Sequence, residues 1–99
     1  MEESIPYREW WYLGTKTAYL QCGKYSFRVR IDDAKRIDDS LFLGVRVLDG
    51  TGHGVVSAKR VSIIFQEKQY TIKRYMDKYT TCGECLATYE RKVVHECCK

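Results

Sequence analysis

A chain of 99 residues, with 44% hydrophobic and 30% charged residues, has the size and composition of one small globular domain. It contains no apolar run approaching the ~20 residues of a membrane-spanning helix, so we expect no membrane partner. The first residues are acidic and lack the apolar segment of a secretory signal, which predicts an intracellular protein. The net charge of +4 comes from residues 51–99, because basic and acidic side chains are equal in number in residues 1–50.

The amide and cysteine content is unusual for so short a chain. There is no Asn and there are three Gln, whereas five Cys are present and Lys, Arg, Glu and Tyr are abundant. Loss of thermolabile amides together with high charge is typical of proteins from hot environments. In length and composition the chain resembles the small proteins carried by viruses of hot-spring archaea. The composition predicts a thermostable protein that unfolds well above the ~45–65 °C at which mesophilic domains cluster, and the resemblance implies a location in the host cytoplasm.

The aromatic segment Tyr7–Leu13 follows Pro6 and is predicted to be a strand. Its two tryptophans would then point to opposite faces of a sheet, and both faces of one strand are difficult to cover in a small domain. We therefore expect one indole to lie in an exposed interface for another protein or a second copy, with Trp10 and Trp11 as the candidate residues. The alternative is that a helix or loop covers this strand.

A hairpin is predicted for the next segment, with strands at Thr17–Gln21 and Tyr25–Asp32 and with Gly23 in the turn. Arg28 and Arg30 would lie together on its outer face, either as ordinary surface residues or as phosphate ligands. The acidic pairs of Asp32–Ser40 indicate a polar connection, because Asp side chains accept hydrogen bonds from nearby backbone amides in turns.

The strongest strand signal is Ser40–Leu48, where apolar residues recur at every second position. This alternation predicts a central strand with one face on the core. The glycine-rich Asp49–Gly54 segment is predicted to be a loop, because its glycines match neither the dinucleotide fingerprint nor the P-loop. Val55–Phe65 is predicted to be a strand interrupted by a bulge or turn near Ser57–Arg60, and Tyr70–Tyr75 is predicted to be another strand.

Basic and aromatic side chains alternate in residues 59–79. Single-stranded nucleic acid is bound in this way on sheets, with bases stacked on rings and phosphates held by cations. An antiparallel sheet with a tyrosine-rich core would produce the same pattern. The candidate nucleic-acid-binding residues are Lys59, Arg60, Lys73, Arg74 and Tyr75.

The C-terminal segment Thr80–Lys99 contains Cys82 and Cys85 in a C-x-x-C pair, followed by His95, Cys97 and Cys98. Three readings are open: a helix over Leu86–Glu96, a hairpin whose ends meet around a zinc ion, or a redox C-x-x-C pair at a helix N-terminus. The apolar stripe of Leu86, Tyr89, Val93 and Cys97 favours the helix. In a helix the two cysteine groups lie roughly 18 Å apart and cannot share an ion. The helix reading therefore predicts no metal or other cofactor and leaves a disulfide to Cys22 as an option.

Together these elements predict an α+β domain, an antiparallel sheet of about five strands with a C-terminal helix packed on it. No motif brings an acid, a base and a nucleophile together, so we expect a protein that is not an enzyme and has no catalytic residues. The leading functional prediction is a non-enzymatic binding or assembly protein. The alternative is a small nucleic-acid-binding protein, stapled by zinc through the C-terminal cysteines.

Overall fold

The computed structural model describes residues 2–97, apart from the side chains of Arg8 and Thr15. One antiparallel sheet of seven strands forms most of the molecule, and the C-terminal segment adds a separate two-stranded sheet. The large sheet consists of β1 (Glu2–Ser4), β2 (Ala18–Cys22), β3 (Tyr25–Ile37), β4 (Ser40–Val47), β5 (His53–Ser57), β6 (Val61–Phe65) and β7 (Lys68–Thr71). The small sheet consists of β8 (Tyr79–Thr81) and β9 (Thr88–Glu90). The helices are α1 (Tyr7–Trp10), a first 3-10 helix (Trp11–Thr15), a second 3-10 helix (Ala58–Arg60) and α2 (Ile72–Lys78).

The prediction of an antiparallel sheet with a helix packed on it is confirmed, but two of its details are wrong. The large sheet has seven strands rather than about five, in the order β5-β4-β3-β2-β6-β7 with β1 paired to β3. The helix that packs on the sheet is α2, which precedes the C-terminal segment. In the described residues no helix is long and apolar enough to cross a membrane.

The long strand β3 connects the two halves of the large sheet. It pairs with β4 along most of its 13 residues, with β2 along its first part and with β1 along its last part. A β-bulge between Ile31 and Asp33 lets it bend. Gly44 lies opposite this bulge, where a Cβ atom would lie only 3.0 Å from the Asp33 Cβ. The predicted polar connection Asp32–Ser40 is therefore wrong, since β3 continues to Ile37 with partners on both sides.

The core lies on one face of the large sheet, as the alternation in Ser40–Leu48 predicted. Leu41, Leu43 and Val45 of β4 are buried, and β4 is an interior strand between β3 and β5. The predicted β2–β3 hairpin is also confirmed, with Gly23 at a φ of +61° in its turn. The predicted interruption of Val55–Phe65 is the second 3-10 helix, between β5 and β6.

The predicted strand Tyr7–Leu13 is wrong, because this segment is helical. The backbone N–H of Glu9 donates to the Pro6 carbonyl at 2.9 Å, and the chain continues from α1 into the first 3-10 helix. Trp10 and Leu13 are three residues apart, so one helical face buries both on the core. Burial at helical spacing therefore outweighs the strand preference of the aromatic residues.

The predicted strand Tyr70–Tyr75 is also wrong, since β7 ends at Thr71 and α2 begins at Ile72. The Thr71 hydroxyl accepts a hydrogen bond from the backbone N–H of Arg74 at 3.3 Å, which caps the helix. Ile72, Tyr75 and Met76 then form a buried stripe on the core. A capping residue followed by apolar residues at positions i, i+3 and i+4 indicates a helix, and this signal was present in the sequence.

Candidate metal centre

The C-terminal segment is not a helix, so the prediction for Leu86–Glu96 is wrong. Thr88–Glu90 forms β9 and pairs antiparallel with β8, with Tyr79 opposite Glu90 and Thr81 opposite Thr88. The hydroxyl oxygens of Thr81 and Thr88 lie 3.0 Å apart across this pair. The alternative, a hairpin within residues 86–96, is matched only in that the chain ends meet, because the observed strand pair joins β8 to β9 across a turn at residues 82–87. We refer to residues 79–97 as the C-terminal unit.

The first chain reversal of the C-terminal unit lies between the two strands and contains the C-x-x-C pair. The backbone N–H of Cys82 donates to the Ala87 carbonyl at 2.9 Å, and the N–H of Leu86 donates to the Cys82 carbonyl at 3.0 Å. Leu86 has a φ of +63°, in the left-handed region that an apolar residue seldom adopts. This turn places the Cys82 and Cys85 side chains beside each other at one end of the small sheet.

A second reversal follows β9 and is held to α2 by Arg91. The N–H of Val93 donates to the Glu90 carbonyl at 3.0 Å, which closes the turn. The backbone N–H of Arg91 donates to the Lys78 carbonyl at 2.9 Å, and its side-chain Nε donates to the Met76 carbonyl at 2.6 Å. Because both carbonyls belong to the C-terminal turn of α2, Arg91 satisfies acceptors that the helix itself leaves open.

Four side chains meet where the two reversals bring the chain ends together: Cys82, Cys85, His95 and Cys97. Their potential ligand atoms all lie within 4.8 Å of one another. The Cys82 and Cys97 Sγ atoms are 3.8 Å apart, and the Cys85 Sγ atom is 3.2 Å from the His95 Nε2 atom. Two sulfur atoms bound tetrahedrally to one zinc ion at ~2.3 Å would be ~3.8 Å apart. Cys98, the remaining candidate from the sequence, lies outside the described residues.

The thiol of Cys82 lies in an environment that favours its ionised form. Backbone N–H groups of Cys85 and Glu84 donate to its sulfur, and these hydrogen bonds lower the pKa of Cys82 to about 6. A thiolate is the form that binds metal. The His95 ring stacks on the Tyr89 ring, with centroids 4.4 Å apart and planes 12° apart, which helps to fix the direction of its Nε2 atom.

This donor set of three sulfur atoms and one imidazole nitrogen is suited to zinc in tetrahedral coordination. A disulfide would need a sulfur separation of about 2.05 Å, so Cys82 and Cys97 are not bonded to each other. Among the cysteines that the structure describes, Cys22 is not part of a disulfide, and its sulfur lies 3.4 Å from the Arg60 guanidinium, outside the four-residue cluster. The four residues together can hold a metal ion without any further ligand.

The predicted nucleic-acid-binding residues differ in burial and in the clefts that they line. Lys59 and Lys73 line a common cleft of about 120 Å³, but the Arg60 Nε atom donates to the Gln21 carbonyl at 3.3 Å. Arg74 is exposed on α2 and lines a different cleft, with Lys92 of the C-terminal unit. Tyr75 is 0% exposed and packs among the aromatic rings of the core, so the structure corrects its assignment as a stacking residue.

The two candidate interface tryptophans differ in exposure. Trp10 is 6% exposed, and its indole Nε1 donates to the Ile5 carbonyl at 3.0 Å. Trp11 is half-buried and packs at the edge of the core. The two indoles therefore do not form one large exposed patch.

Sequence reasoning missed the role of Arg91, whose contacts to α2 join regions 13 to 15 residues apart and leave no local signal. It considered the metal ligands but placed the two halves of the set at opposite ends of a helix. Comparisons of the chain with protein-family models, with curated proteins and with solved structures give no match.

Proposed function

We propose that the protein is a non-enzymatic binding protein whose C-terminal unit is folded around one structural zinc ion, held by Cys82, Cys85, His95 and Cys97. The observation that carries this proposal is the convergence of their four ligand atoms within 4.8 Å. The two halves of the set come from opposite ends of the C-terminal unit, which is the arrangement of a metal staple. Local sequence preference, which favours a helix here, does not account for it.

A structural role is favoured over a catalytic one by the number of ligands. Catalytic zinc ions usually have three protein ligands and keep one position for water or substrate, whereas structural zinc ions have four. The cluster offers four protein ligands, three of which are cysteines whose thiolate forms would more than offset the charge of the ion. Zinc thiolate sites of this kind are compatible with a reducing compartment, which supports an intracellular location as part of the same proposal.

Zinc in this position would act on the rest of the molecule through Arg91. The turn that carries Arg91 lies between β9 and the ligand His95, and it contacts the C-terminal end of α2. Fixing both ends of the C-terminal unit therefore also fixes the contact between Arg91 and the C-terminal end of α2. We infer that zinc holds the C-terminal unit against α2 and so defines the surface that they share.

The proposal is tested by metal analysis of protein purified without added metal or chelator. We expect one zinc per chain by inductively coupled plasma mass spectrometry, and less than a tenth of that in Cys85→Ser. The matched control is Cys22→Ser, which removes a half-buried cysteine outside the cluster and should retain full zinc. Wild-type protein without zinc would overturn the proposal, as would equal zinc content in the two variants.

Replacement of the ion by Co²⁺ gives a second readout that does not depend on stability. Tetrahedral thiolate ligation should produce sulfur-to-cobalt charge-transfer absorption together with intense visible bands. His95→Cys should keep the ion and shift these bands, since it exchanges nitrogen for sulfur at one ligand position. Spectra typical of six oxygen ligands would contradict the proposed donor set.

A further inference from the structure

Three arginines lie close together on the face of the large sheet that is turned away from the core. Arg28 and Arg30 are neighbours on the outer face of β3, and Arg46 of β4 is directly opposite Arg30 in the strand register. All three are exposed, and Arg46 has 68% of its side chain accessible. The alternation in the sequence placed all three on outer faces of their strands, but the register that brings Arg46 opposite Arg30 was not predicted.

This arrangement costs stability unless an anion binds there. Like charges directly opposite each other in an antiparallel pair repel, and here Arg30 faces Arg46. Among the ion pairs of the described residues, one relieves the cluster, between the Arg46 Nε and the Asp32 carboxylate at 3.4 Å. The local excess of positive charge therefore favours binding of a ligand that carries several negative charges along its length.

An aromatic cavity adjoins the arginine cluster and shares Arg30 with it. Its volume is about 240 Å³, and its lining includes Tyr7, Trp10, Trp11, Gly14, Arg30 and Asp32. The rings of Tyr7 and Trp10 meet edge to face, with centroids 4.9 Å apart and planes 82° apart, and Tyr7 is 67% exposed.

The cavity exists because β3 lacks a strand partner on one side at this point. Pairing with β2 ends at Val29, and pairing with β1 begins at Lys35. The first 3-10 helix lies beside this gap, and a Cβ atom at Gly14 would be in ordinary van der Waals contact with the Ile31 carbonyl oxygen, at 3.6 Å. The result is an open slot between aromatic rings and the sheet, with a guanidinium group at its border.

We propose that this face binds single-stranded nucleic acid, with one base in the aromatic cavity and the adjoining phosphates on Arg28, Arg30 and Arg46. Stacking on aromatic rings and contacts from cations are the two components by which sheets bind single strands. A duplex does not fit this arrangement, because its bases are stacked on each other and cannot enter the cavity. The proposal goes beyond the structural zinc site and does not depend on it.

The arginine component is tested by fluorescence anisotropy with labelled 12-nucleotide oligo-dT and oligo-U at low salt. We expect binding of one or both oligomers, weakened at least tenfold in Arg28→Gln/Arg30→Gln/Arg46→Gln. Because each lost phosphate contact lowers the slope of log K against log salt by ~0.7, the variant slope should be smaller by roughly 2. Wild-type protein that binds neither oligomer would overturn the proposal.

The matched control removes the same charge from the surface that the sequence pattern pointed to. Lys59→Gln/Lys73→Gln/Arg74→Gln changes three cationic residues away from the cavity, and its affinity should stay within threefold of wild type. Equal loss of affinity in both triple variants would show binding by net charge alone and would refute the assigned face. Binding of poly-glutamate as tight as that of the oligomers would identify an acidic protein surface as the ligand and would also refute it.

The cavity component has an intrinsic probe, because the two tryptophans of the chain both line it. Base stacking should quench their fluorescence in proportion to bound oligomer. Trp11→Leu should weaken binding several-fold without changing the salt slope, since it removes a stacking surface and no charge. Unchanged tryptophan fluorescence at saturation would exclude the base from the cavity.

If the triple arginine variant fails to fold, the single variant Arg28→Gln, at an exposed position, gives the same test with a smaller change.

Discussion

The large sheet and the C-terminal unit are stabilised by different kinds of interaction. In the large sheet, strands of up to 13 residues pair over one face that buries Leu43, Ile63 and Val29 almost completely. The C-terminal unit has two strands of three residues each, and no residue described from 80 to 97 is buried. Apart from Tyr79, which is buried at the start of β8, neither strand buries a residue, and two such short strands are not stable alone in water. A segment of this kind needs a cross-link, whereas the large sheet does not.

Removal of the metal ion is expected to cause the largest change in the stability of the C-terminal unit relative to the large sheet. Structural zinc contributes on the order of 10 kcal/mol to the folding of small zinc domains. A zinc chelator should therefore unfold the C-terminal unit and leave the large sheet folded. Amide hydrogen exchange reports both regions separately: the N–H groups of Cys82, Arg91 and Val93 should lose protection by at least about a hundredfold.

The reference amides for this experiment are those of Val47 and Leu48, which donate to the carbonyls of Gly52 and Arg28 in the large sheet. Their exchange should change less than about threefold on chelation, because the core beneath them does not contain the metal site. Equal loss of protection in both regions would mean that the ion supports the whole fold. No loss in the C-terminal unit would mean that its hydrogen bonds suffice without an ion.

The same difference explains which elements could be predicted from the sequence. The strand Ser40–Val47 was predicted because apolar residues alternate along its eight residues and so indicate one buried face. The break predicted near Ser57–Arg60 is the second 3-10 helix, Ala58–Arg60. In both cases the information is local, since each residue's environment follows from its position in its own element.

The C-terminal unit could not be predicted in this way, because its fold depends on residues distant in the sequence. Leu86 and Val93 fit a helical stripe, yet they are 58% and 51% exposed and share no buried face. The structure instead brings Cys82 and Cys85 together with His95 and Cys97. Pairwise proximity of ligands ten or more residues apart has no periodic signature. The sequence therefore identified the donor side chains of the candidate metal centre, but their placement at opposite ends of a helix led to the prediction of no metal.

A smaller effect is expected from removing Arg91, the residue that connects the two regions. In Arg91→Leu the Met76 carbonyl loses a charge-assisted donor at 2.6 Å, which should cost about 1.5–3 kcal/mol in the free energy of unfolding of the C-terminal unit. Zinc stoichiometry should remain one per chain, because no ligand changes. The measurements are the exchange rate of the Val93 amide and the zinc content.

The matched control for Arg91 is its neighbour Lys92, whose side chain is 84% exposed and pairs with Glu90 at 3.6 Å. Lys92→Leu should change the same exchange rate by less than about threefold, because surface ion pairs contribute little. Similar effects of the two substitutions would show that the contact between Arg91 and α2 does not hold the C-terminal unit in place.

The smallest expected effect on stability comes from two buried tyrosines in the core beneath the large sheet, and it is seen only at high pH. Burial raises the pKa of Tyr75 above its ordinary value of 10.0, and burial likewise raises the pKa of Tyr12. Because the folded pKa exceeds the unfolded one, the neutral phenols contribute stability that is complete below pH 10 and is lost as the pH rises through the folded pKa values. Urea unfolding at pH 8 and at pH 10.8 should therefore show a loss of stability in wild type that is smaller in Tyr75→Phe. Tyr7→Phe, at a 67% exposed position, should lose as much as wild type. An equal loss in all three proteins would mean that burial of the Tyr75 hydroxyl does not couple folding to pH.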